Sequence, residues 1–300
     1  MRLGFVPTNA REDGPALDDA RTMMPPAVAA AAQPLLRVQG VTKRFGAGPS
    51  AITAVQDVSF DMRPGEFVSI IGPSGCGKST LFGMVGGLVD GWQGDISMDG
   101  TPVRPGATHR GIGMVFQEES TFPWRTVIEN VALPLEGRAM PKSERLDRAR
   151  HFIGLVGLQG FENRFPSEIS GGMRQRTAIA RTLAYEPRLL MMDEPFGALD
   201  EQTRLLLGDT VLRIQQELGQ TVLLITHSIA ESVQLSDRVL VMTYRPGRLK
   251  RFVNIDLPRP RSSKDVGDPR FGKLVADIWG DLREEATRGL RESEQQGRGR

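Results

Sequence analysis

The sequence predicts an α/β fold, in which a parallel sheet carries helices on both of its faces. Short apolar runs of strand-like composition recur along the chain, and helical stretches such as residues 201–218 lie between them. The first run, Phe67–Ile71, is apolar except for Ser69, which is typical of a strand that is buried on both sides. The other runs occupy residues 188–193, 221–226 and 238–243.

Two further elements adjoin the predicted parallel sheet. Upstream of it, residues 35–45 and 54–62 alternate apolar and polar side chains and predict an antiparallel β region. After the first parallel strand, residues 118–170 lack strand-like runs and carry an apolar stripe at helical spacing. We therefore expect a helical subdomain inserted into the α/β body.

The two ends of the chain differ from the body in composition. Residues 1–33 are rich in Ala, Pro, Arg and Asp with little hydrophobic period, so they predict a disordered leader. Residues 34–260 form the predicted globular domain. Residues 261–300 are predicted to be a charged C-terminal tail with one helix at 271–285.

The composition excludes several classes of protein. Of 300 residues, 39% are hydrophobic and 25% charged, which is enough apolar material for a globular core. The net charge is only +2, so bulk charge indicates no nucleic-acid partner. The single cysteine, Cys76, rules out an intramolecular disulfide or a cysteine-clustered metal site. No run suits a bilayer-spanning helix or a signal peptide, so we expect a cytosolic chain that can still dock on a membrane protein.

A glycine-rich segment follows the first buried strand directly and opens a helical stretch. Gly72, four further residues and then Gly77-Lys78-Ser79 form the pattern of a phosphate-binding loop. Glycines let backbone N–H groups point at a polyphosphate, and the following helix presents its positive end. Lys78 would add a charge for the β- and γ-phosphates, and Ser79 a hydroxyl for Mg²⁺. The residues expected to bind the nucleotide are Gly72, Pro73, Ser74, Gly75, Cys76, Gly77, Lys78, Ser79 and Thr80.

Two carboxylates end the apolar run at residues 188–193. Asp193 suits a Mg²⁺ partner, and Glu194 is placed one step further on, where it can polarise an attacking water as a general base. Two acids at the end of a strand are common on their own. Together with a phosphate-binding loop they predict a site that hydrolyses a nucleotide.

A third motif, residues 169–176, precedes the acidic strand and begins a helix predicted to run to Tyr185. Ser170 is suited to cap that helix, and Gly171 and Gly172 expose backbone N–H groups at its N-terminus. This would be a second phosphate-binding surface, which the first site does not need. Such a surface makes sense if it completes the site of another copy of the chain.

With these motifs in this order, residues 36–257 resemble the ATP-binding cassette family of phosphate-loop NTPases. The resemblance implies a domain that binds and hydrolyses ATP with Mg²⁺. It also implies that Gln117 is the Q-loop glutamine, which senses the γ-phosphate and Mg²⁺, and that His227 is the switch histidine. Phe45, where the family frequently has tyrosine, would stack on adenine. Residues 197–200 resemble the D-loop, which crosses the interface between two cassettes.

The resemblance thus assigns a role to each motif residue. The catalytic set is Lys78, Gln117, Glu194 and His227. The set that would hold Mg²⁺ is Ser79, Gln117 and Asp193. The nucleotide would be bound by Phe45, by the loop of residues 72–80 and, from a second copy, by Ser170, Gly171 and Gly172.

Finer features are similar to importers of the nitrate, sulfonate and taurine group. They are Met173 and residues 121–131, 193–204 and 257–261. In that group two cassette subunits energise two transmembrane permease subunits, and an external solute-binding protein delivers the solute. The resemblance therefore implies a homodimer bound peripherally to the cytoplasmic face of the bacterial inner membrane. Nitrate cassettes often carry a fused C-terminal domain, so the short charged tail favours an aliphatic sulfonate or taurine over nitrate.

Some alternatives remain at this point. A non-transport ATPase of the same superfamily would usually carry coiled-coil or zinc-cysteine insertions that this chain lacks. A small-molecule kinase would leave the second glycine motif and His227 unexplained, and a regulatory nucleotide binder would not need Glu194. The large apolar residues Phe122 and Trp124 could belong to the subdomain core or to a surface that docks a permease helix.

Overall fold

The computed structural model describes residues 33–107, 109–117 and 120–298. The expected leader, except for Gln33, and the expected start of the helical subdomain at 118 lie outside the described residues. The strands are β1 (Leu36–Phe45), β2 (Ile52–Met62), β3 (Phe67–Ile71), β4 (Trp92–Met98), β5 (Thr101–Pro102), β6 (Ile112–Val115), β7 (Leu189–Asp193), β8 (Thr221–Ile225), β9 (Arg238–Met242) and β10 (Leu249–Asn254). The helices are α1 (Lys78–Val85), α2 (Val127–Ala132), α3 (Lys142–Leu155), α4 (Gly171–Ala184), α5 (Glu201–Leu218), α6 (Ile229–Leu235) and α7 (Pro269–Arg298).

The main sheet has the strand order β10-β9-β3-β8-β7-β6. Every neighbouring pair from β9 to β6 is parallel, and β10 joins the edge in the antiparallel direction. Strands β3 and β8 are buried along their whole length, as their predominantly apolar sequences predict. The carboxyl ends of β3, β7, β8 and β9 therefore meet at one edge of the sheet, which is where ligands bind in folds of this class.

A second sheet has the order β2-β1-β4-β5 and is antiparallel. Its alternating burial confirms the antiparallel β region that the sequence predicts. Strands β4, β5, β6 and β10 were not predicted. Strand β4 contains Gly94 and Asp95, and β6 is only four residues long and contains Gly113, so neither shows a clear apolar alternation.

Helices α2 and α3 lie within the span 118–170 expected for the helical subdomain, and both pack on α4, which follows that span. Helix α3 buries Ala149, Phe152 and Ile153, which are the positions of the predicted apolar stripe. Thr126 and Glu129 form a reciprocal capping box that fixes the start of α2. One core cluster joins these helices to α5 and to one face of the main sheet.

The C-terminal helix α7 is longer than the predicted helix at 271–285. Its apolar residues Phe271 and Ile278 are buried in a cluster with Val239 and Val253 of the sheet. Arg261 precedes the helix and is also buried, and its guanidinium donates to the carbonyls of Leu257, Ser236 and Ile255. No helix of the described residues is long and apolar enough to cross a membrane.

Candidate functional site

The glycine-rich loop between β3 and α1 has a backbone that only glycine can provide at its key point. Gly77 adopts φ +101° and forms the N-cap of α1. A Cβ atom at this position would lie 2.6 Å from the carbonyl oxygen of Ala54. The glycine thus lets the loop turn sharply against β2 and aim the first N–H groups of α1 outward.

Lys78 lies at the centre of this loop and is 7% exposed. Its ammonium Nζ donates to the carbonyl oxygens of Gly72 at 2.9 Å and Pro73 at 3.2 Å. The loop therefore curls around its own lysine, and the positive charge is held beside the N-terminus of α1. That arrangement suits a polyphosphate anion.

The loop forms the floor of an open cavity of about 440 Å³. Phe45, at the end of β1, lies at the cavity rim with its ring 45% exposed, and it can offer a stacking face. The cavity is lined by Phe45, Ile52, Ala54, Ser74, Gly75, Gly77, Lys78, Ser79, Thr80, Glu194 and Arg245. The structure thus brings most of the predicted nucleotide-binding residues together.

Three of the predicted loop residues are not among those that line the cavity. Gly72 is buried and Pro73 half-buried beneath the loop, and both carbonyls serve Lys78. The side chain of Cys76 is fully buried, and its backbone N–H donates to the carbonyl of Pro73 at 3.2 Å. Burial raises the pKa of its thiol above the ordinary range. Gly72, Pro73 and Cys76 therefore support the loop from the side that faces away from the cavity.

The oxygen atoms suited to Mg²⁺ meet at the cavity edge. The hydroxyl of Ser79 donates to the carboxylate of Asp193, which ends the neighbouring strand β7. Burial raises the pKa of Asp193, and the Ser79 hydrogen bond opposes that rise. A half-buried carboxylate beside a hydroxyl is a donor set that a hard divalent cation would satisfy, so the residues fit Mg²⁺.

Glu194, His227 and Gln117 converge around Gly197. Oε2 of Glu194 lies 3.3 Å from Nδ1 of His227. The N–H of Gly197 donates to the carbonyl of Glu194 at 3.1 Å. A Cβ atom on Gly197 would lie 3.7 Å from Nε2 of Gln117 and 3.9 Å from Cε1 of His227. These side chains end or follow β6, β7 and β8, which explains how positions distant in sequence become neighbours.

Glu194 itself has a strained backbone, with φ +46°. A non-glycine residue in this region costs about 1–3 kcal/mol, and such strain is concentrated at functional sites. The conformation is fixed because its N–H donates to the carbonyl of Ile225 at 2.8 Å, at the end of β8. The backbone therefore leaves the direction of strand β7 at Glu194, and the Glu194 side chain lines the cavity.

A buried carboxylate that was not predicted supports the His227 segment. Glu231, on α6, accepts a hydrogen bond from the Thr226 hydroxyl and lies 3.4 Å from Nε of Arg204. Burial raises its pKa. Arg204 also donates to the carbonyl of Leu199, in the segment of residues 197–200, at 3.0 Å. The same ion pair therefore ties that segment to the strand end that carries His227.

The second glycine motif lies apart from this cavity. Ser170 caps α4 as predicted, and its Oγ accepts the N–H of Met173 at 3.3 Å. Gly172 is buried, and a Cβ atom on it would lie 2.8 Å from Cγ2 of Thr203. Ser170, Gly171 and Gly172 are not among the residues that line the cavity with Lys78. Within one chain, the two predicted phosphate-binding surfaces are therefore separate.

Sequence reasoning missed several residues of the cavity wall. Ile52 and Ala54 lie on β2, next to Phe45, and their signal was only the alternation of an antiparallel strand. Arg245 follows β9, which pairs in parallel with β3. A basic residue just after that strand could have been placed at the phosphate loop if the strand order had been known.

Known proteins resemble this chain over most of its length. Residues 55–197 match the ABC transporter family. An ABC transporter ATP-binding protein of Methanocaldococcus jannaschii is 44% identical over 257 residues, which cover 85% of this chain and 94% of that protein. The nitrate transport protein NasD of Klebsiella oxytoca is 43% identical and covers 79% and 91%. The aliphatic sulfonates import ATP-binding protein SsuB of Bacillus licheniformis is 44% identical and covers 73% and 84%.

Solved structures agree with these relatives. A dimeric ATP-binding cassette in a post-hydrolysis state, bound to ADP and phosphate, has a TM-score of 0.65 and 33% identity and covers 74% of this chain and 100% of its own. The cbiO1 protein of Clostridium perfringens, part of an ABC transporter complex, has a TM-score of 0.69 and 26% identity and covers 81% and 99%. This chain therefore belongs to the ABC transporter ATP-binding family and is a cassette ATPase with the phosphate-loop NTPase fold.

Proposed function

We propose that this chain is the ATP-hydrolysing subunit of an importer for a small anionic solute of the aliphatic sulfonate, taurine or nitrate type. The observation that carries the proposal is the cavity that joins Lys78, Ser79 and Glu194. It supports an ATP site in which the phosphates lie on the loop of residues 72–80 and adenine stacks on Phe45.

Each residue at the cavity edge would then have a distinct task. Lys78 and the loop amides neutralise phosphate charge, which is most of what phosphoryl transfer needs from a protein. Ser79, Asp193 and Gln117 would hold Mg²⁺, which neutralises charge between the phosphates. Glu194 accepts the proton of the attacking water.

His227 would complete the site around the γ-phosphate. Its Nδ1 lies within 3.3 Å of the Glu194 carboxylate, so the two side chains can orient each other. Gly197 leaves room between Gln117 and His227. A Cβ atom at position 197 would make ordinary van der Waals contact with both groups.

The separation of the two glycine motifs supports a homodimer. The helix start at Ser170, Gly171 and Gly172 would meet the ATP of a second copy in a head-to-tail arrangement, giving two composite sites. A related cassette is dimeric with ADP and phosphate, which agrees with this arrangement. Opening and closing of the composite sites would drive two permease subunits, and an external binding protein would deliver the solute.

An exposed tryptophan supports the permease contact. Trp124 is 70% exposed, which disfavours the alternative that it fills the subdomain core. The loop that carries it is fixed by the buried Asn130, whose side chain accepts the N–H of Phe122 at 2.8 Å and donates to the carbonyls of Phe122, Arg125 and Thr126. A large apolar side chain held rigidly at a surface is suited to a partner helix. The subunit would then lie on the cytoplasmic face of the bacterial inner membrane.

The proposal is tested by a deletion strain and by purification. We expect the deletion strain to lose growth on aliphatic sulfonates as the sole sulfur source or on nitrate as the sole nitrogen source. The complementing chain should co-purify with two hydrophobic permease subunits. Normal growth in both media, together with an ATPase that purifies without permease, would favour the non-transport alternative.

A further inference from the structure

The loop between β9 and β10, residues 243–248, packs directly against the phosphate loop. Nε of Arg245 donates to the carbonyl of Gly75 at 2.9 Å. A Cβ atom on Gly75 would lie 2.9 Å from the Arg245 Nη2 atom, so the guanidinium rests on the loop backbone. A Cβ atom on Gly247 would lie 1.9 Å from the carbonyl of Cys76. Two points of the phosphate loop are therefore supported by this one loop.

The same loop is attached to the C-terminal helix. The backbone N–H of Tyr244 donates to Oε2 of Glu285 at 2.9 Å. Glu285 is 6% exposed, and its Oε1 lies 3.1 Å from Nζ of Lys250 on β10. A Cβ atom on Gly289 would lie 2.8 Å from the Tyr244 ring, so that ring lies close to the α7 backbone. Helix α7 therefore holds the residue that immediately precedes Arg245.

We propose that Arg245 is a positioning residue for the phosphate loop and that Glu285 of α7 fixes Arg245 in place, so that the C-terminal helix sets the affinity of the site for ATP. This inference rests on the proposed ATP site at residues 72–80. It assigns a task to the charged C-terminal segment, for which the sequence offered none.

The physical reason lies in the exposure of the two residues. The Arg245 side chain is exposed, so its hydrogen bond to Gly75 competes with water and depends on where the backbone holds it. Glu285 is buried, so its carboxylate requires both of its partners, because a buried charge that loses a partner is strongly destabilising. The buried contact between Glu285 and Tyr244 therefore determines the position of the exposed contact between Arg245 and Gly75.

Arg245→Ala should raise the KM for ATP about fivefold and leave kcat within about twofold, because the loop loses an anchor and no group acts on the γ-phosphate. Arg245→Lys retains a donor for the Gly75 carbonyl and should recover most of the affinity. Arg248→Ala is the matched control, since Arg248 lies in the same loop and donates to Gln56 instead, at 2.8 Å. An unchanged KM in Arg245→Ala would overturn the role of Arg245.

A second pair of variants tests the helix. Glu285→Ala removes the acceptor for the Tyr244 N–H and should raise the KM in the same direction, whereas Glu285→Gln retains an acceptor and should be closer to the parent chain. Glu284→Ala is its control, because Glu284 pairs with Lys250 but does not contact Tyr244. Gly289→Ala pushes the Tyr244 ring away from α7 with Glu285 intact, and it should have the same effect if Glu285→Ala is too unstable to assay. Equal KM values for Glu284→Ala and Glu285→Ala, with an unchanged KM for Gly289→Ala, would overturn the link to α7.

The two levels of the proposal can be told apart with Lys78→Ala. If that variant binds ATP normally by equilibrium dialysis, the site itself is assigned wrongly. If it loses ATP while Arg245→Ala does not weaken binding, the site stands and only the positioning role fails.

Discussion

Helices α1 and α4 both begin at glycine-rich turns, yet the two starts differ in how their backbone N–H groups are satisfied. At α1 the N-cap is Gly77, which has no side chain to accept a hydrogen bond, and the helix opens into a cavity beside the buried Lys78. At α4 the N-cap is Ser170, whose own hydroxyl accepts the N–H of Met173. At the α4 start Ser170 is exposed, Gly171 half-buried and Gly172 buried, and none of the three lines the cavity.

This difference shows that two glycine-rich helix starts in one chain need not be equally ready for an anion. The α1 start relies on an external anion, because the first N–H groups of a helix have no partner within it. The α4 start is partly satisfied by its own serine and has no lysine in its first turn. Under the proposed function, one chain would offer a primary site and a separate accessory surface, and the following predictions test that division.

The largest effect is expected from Glu194→Gln. The substitution keeps the shape of the side chain but removes the general base, so hydrolysis should fall about a thousandfold while ATP binding is retained. If both helix starts bind the same nucleotide, the variant should accumulate as an ATP-bound dimer on size-exclusion chromatography. Near-normal turnover, measured as phosphate release, would remove Glu194 from the mechanism.

The next effect comes from mixing two inactive chains. Lys78→Ala disables the α1 start, and Gly171→Asp places a negative charge at the α4 start, where it repels phosphate but suits the helix dipole and so preserves folding. Each variant alone should be inactive. An equal mixture forms about half heterodimers, each with one intact composite site, so about a quarter of the parent ATPase activity should return.

The control for the mixing experiment is to repeat it over a series of total protein concentrations. Recovered activity should rise steeply with protein concentration, because it depends on association of the two chains. An inactive mixture in which heterodimers are demonstrated by differential tagging would contradict the division into primary and accessory surfaces. Substantial activity of Gly171→Asp alone would contradict it as well.

A smaller effect is expected outside the site. Trp124→Ala should lower transport severalfold and change basal ATPase activity less than about twofold, because an anchor at an interface acts on the partner and not on the nucleotide. Trp279, 56% exposed on α7, is a matched control and should be neutral in transport when replaced by Ala. An equal loss of transport and ATPase activity, with a lowered Tm, would instead assign Trp124 to the subdomain core.

The smallest effect concerns stability and pH. Burial raises the pKa of Asp193, so its carboxylate opposes folding at neutral pH, and the penalty disappears once pH falls below the pKa of the unfolded chain. Without Mg²⁺, Asp193→Asn should therefore raise Tm by a few degrees at most at neutral pH, and the gain should vanish in acid.

Asp200 is the opposite case, because the hydrogen bond from the backbone N–H of Thr203 lowers the pKa of its carboxyl. Asp200→Asn should lower Tm slightly at neutral pH, with the difference fading as pH falls through the folded pKa.

The sequence predicted the parts of this molecule that local chemistry dictates. The loop at Gly77, the cap at Ser170 and the buried strand β3 are local patterns, and the structure confirms their positions. It did not predict Arg245 or Glu231, because their roles depend on which strands are neighbours. The strand order is set by packing of the whole sheet, and no short segment carries that information.

Helix α7 shows that composition alone also fails to predict which segments pack on the body. Its residues are mostly polar, and only the spacing of Phe271, Ile278 and their apolar neighbours shows that one face is buried. The charge-rich composition suggested a tail, whereas the periodicity specified a packed helix that is longer than expected. Periodicity was the better guide because burial depends on one face and not on the average composition.

The fully buried side chain of Cys76 has a practical consequence for measurements in solution. It is the only cysteine of the sequence, and burial raises the pKa of its thiol, so very little reactive thiolate exists at neutral pH. A cysteine introduced at an exposed position, such as Ser167 just before α4, would therefore be labelled selectively without first removing a native thiol. Spin labels at that position would test, as a distance, whether the helical layers of two copies approach and separate during ATP hydrolysis.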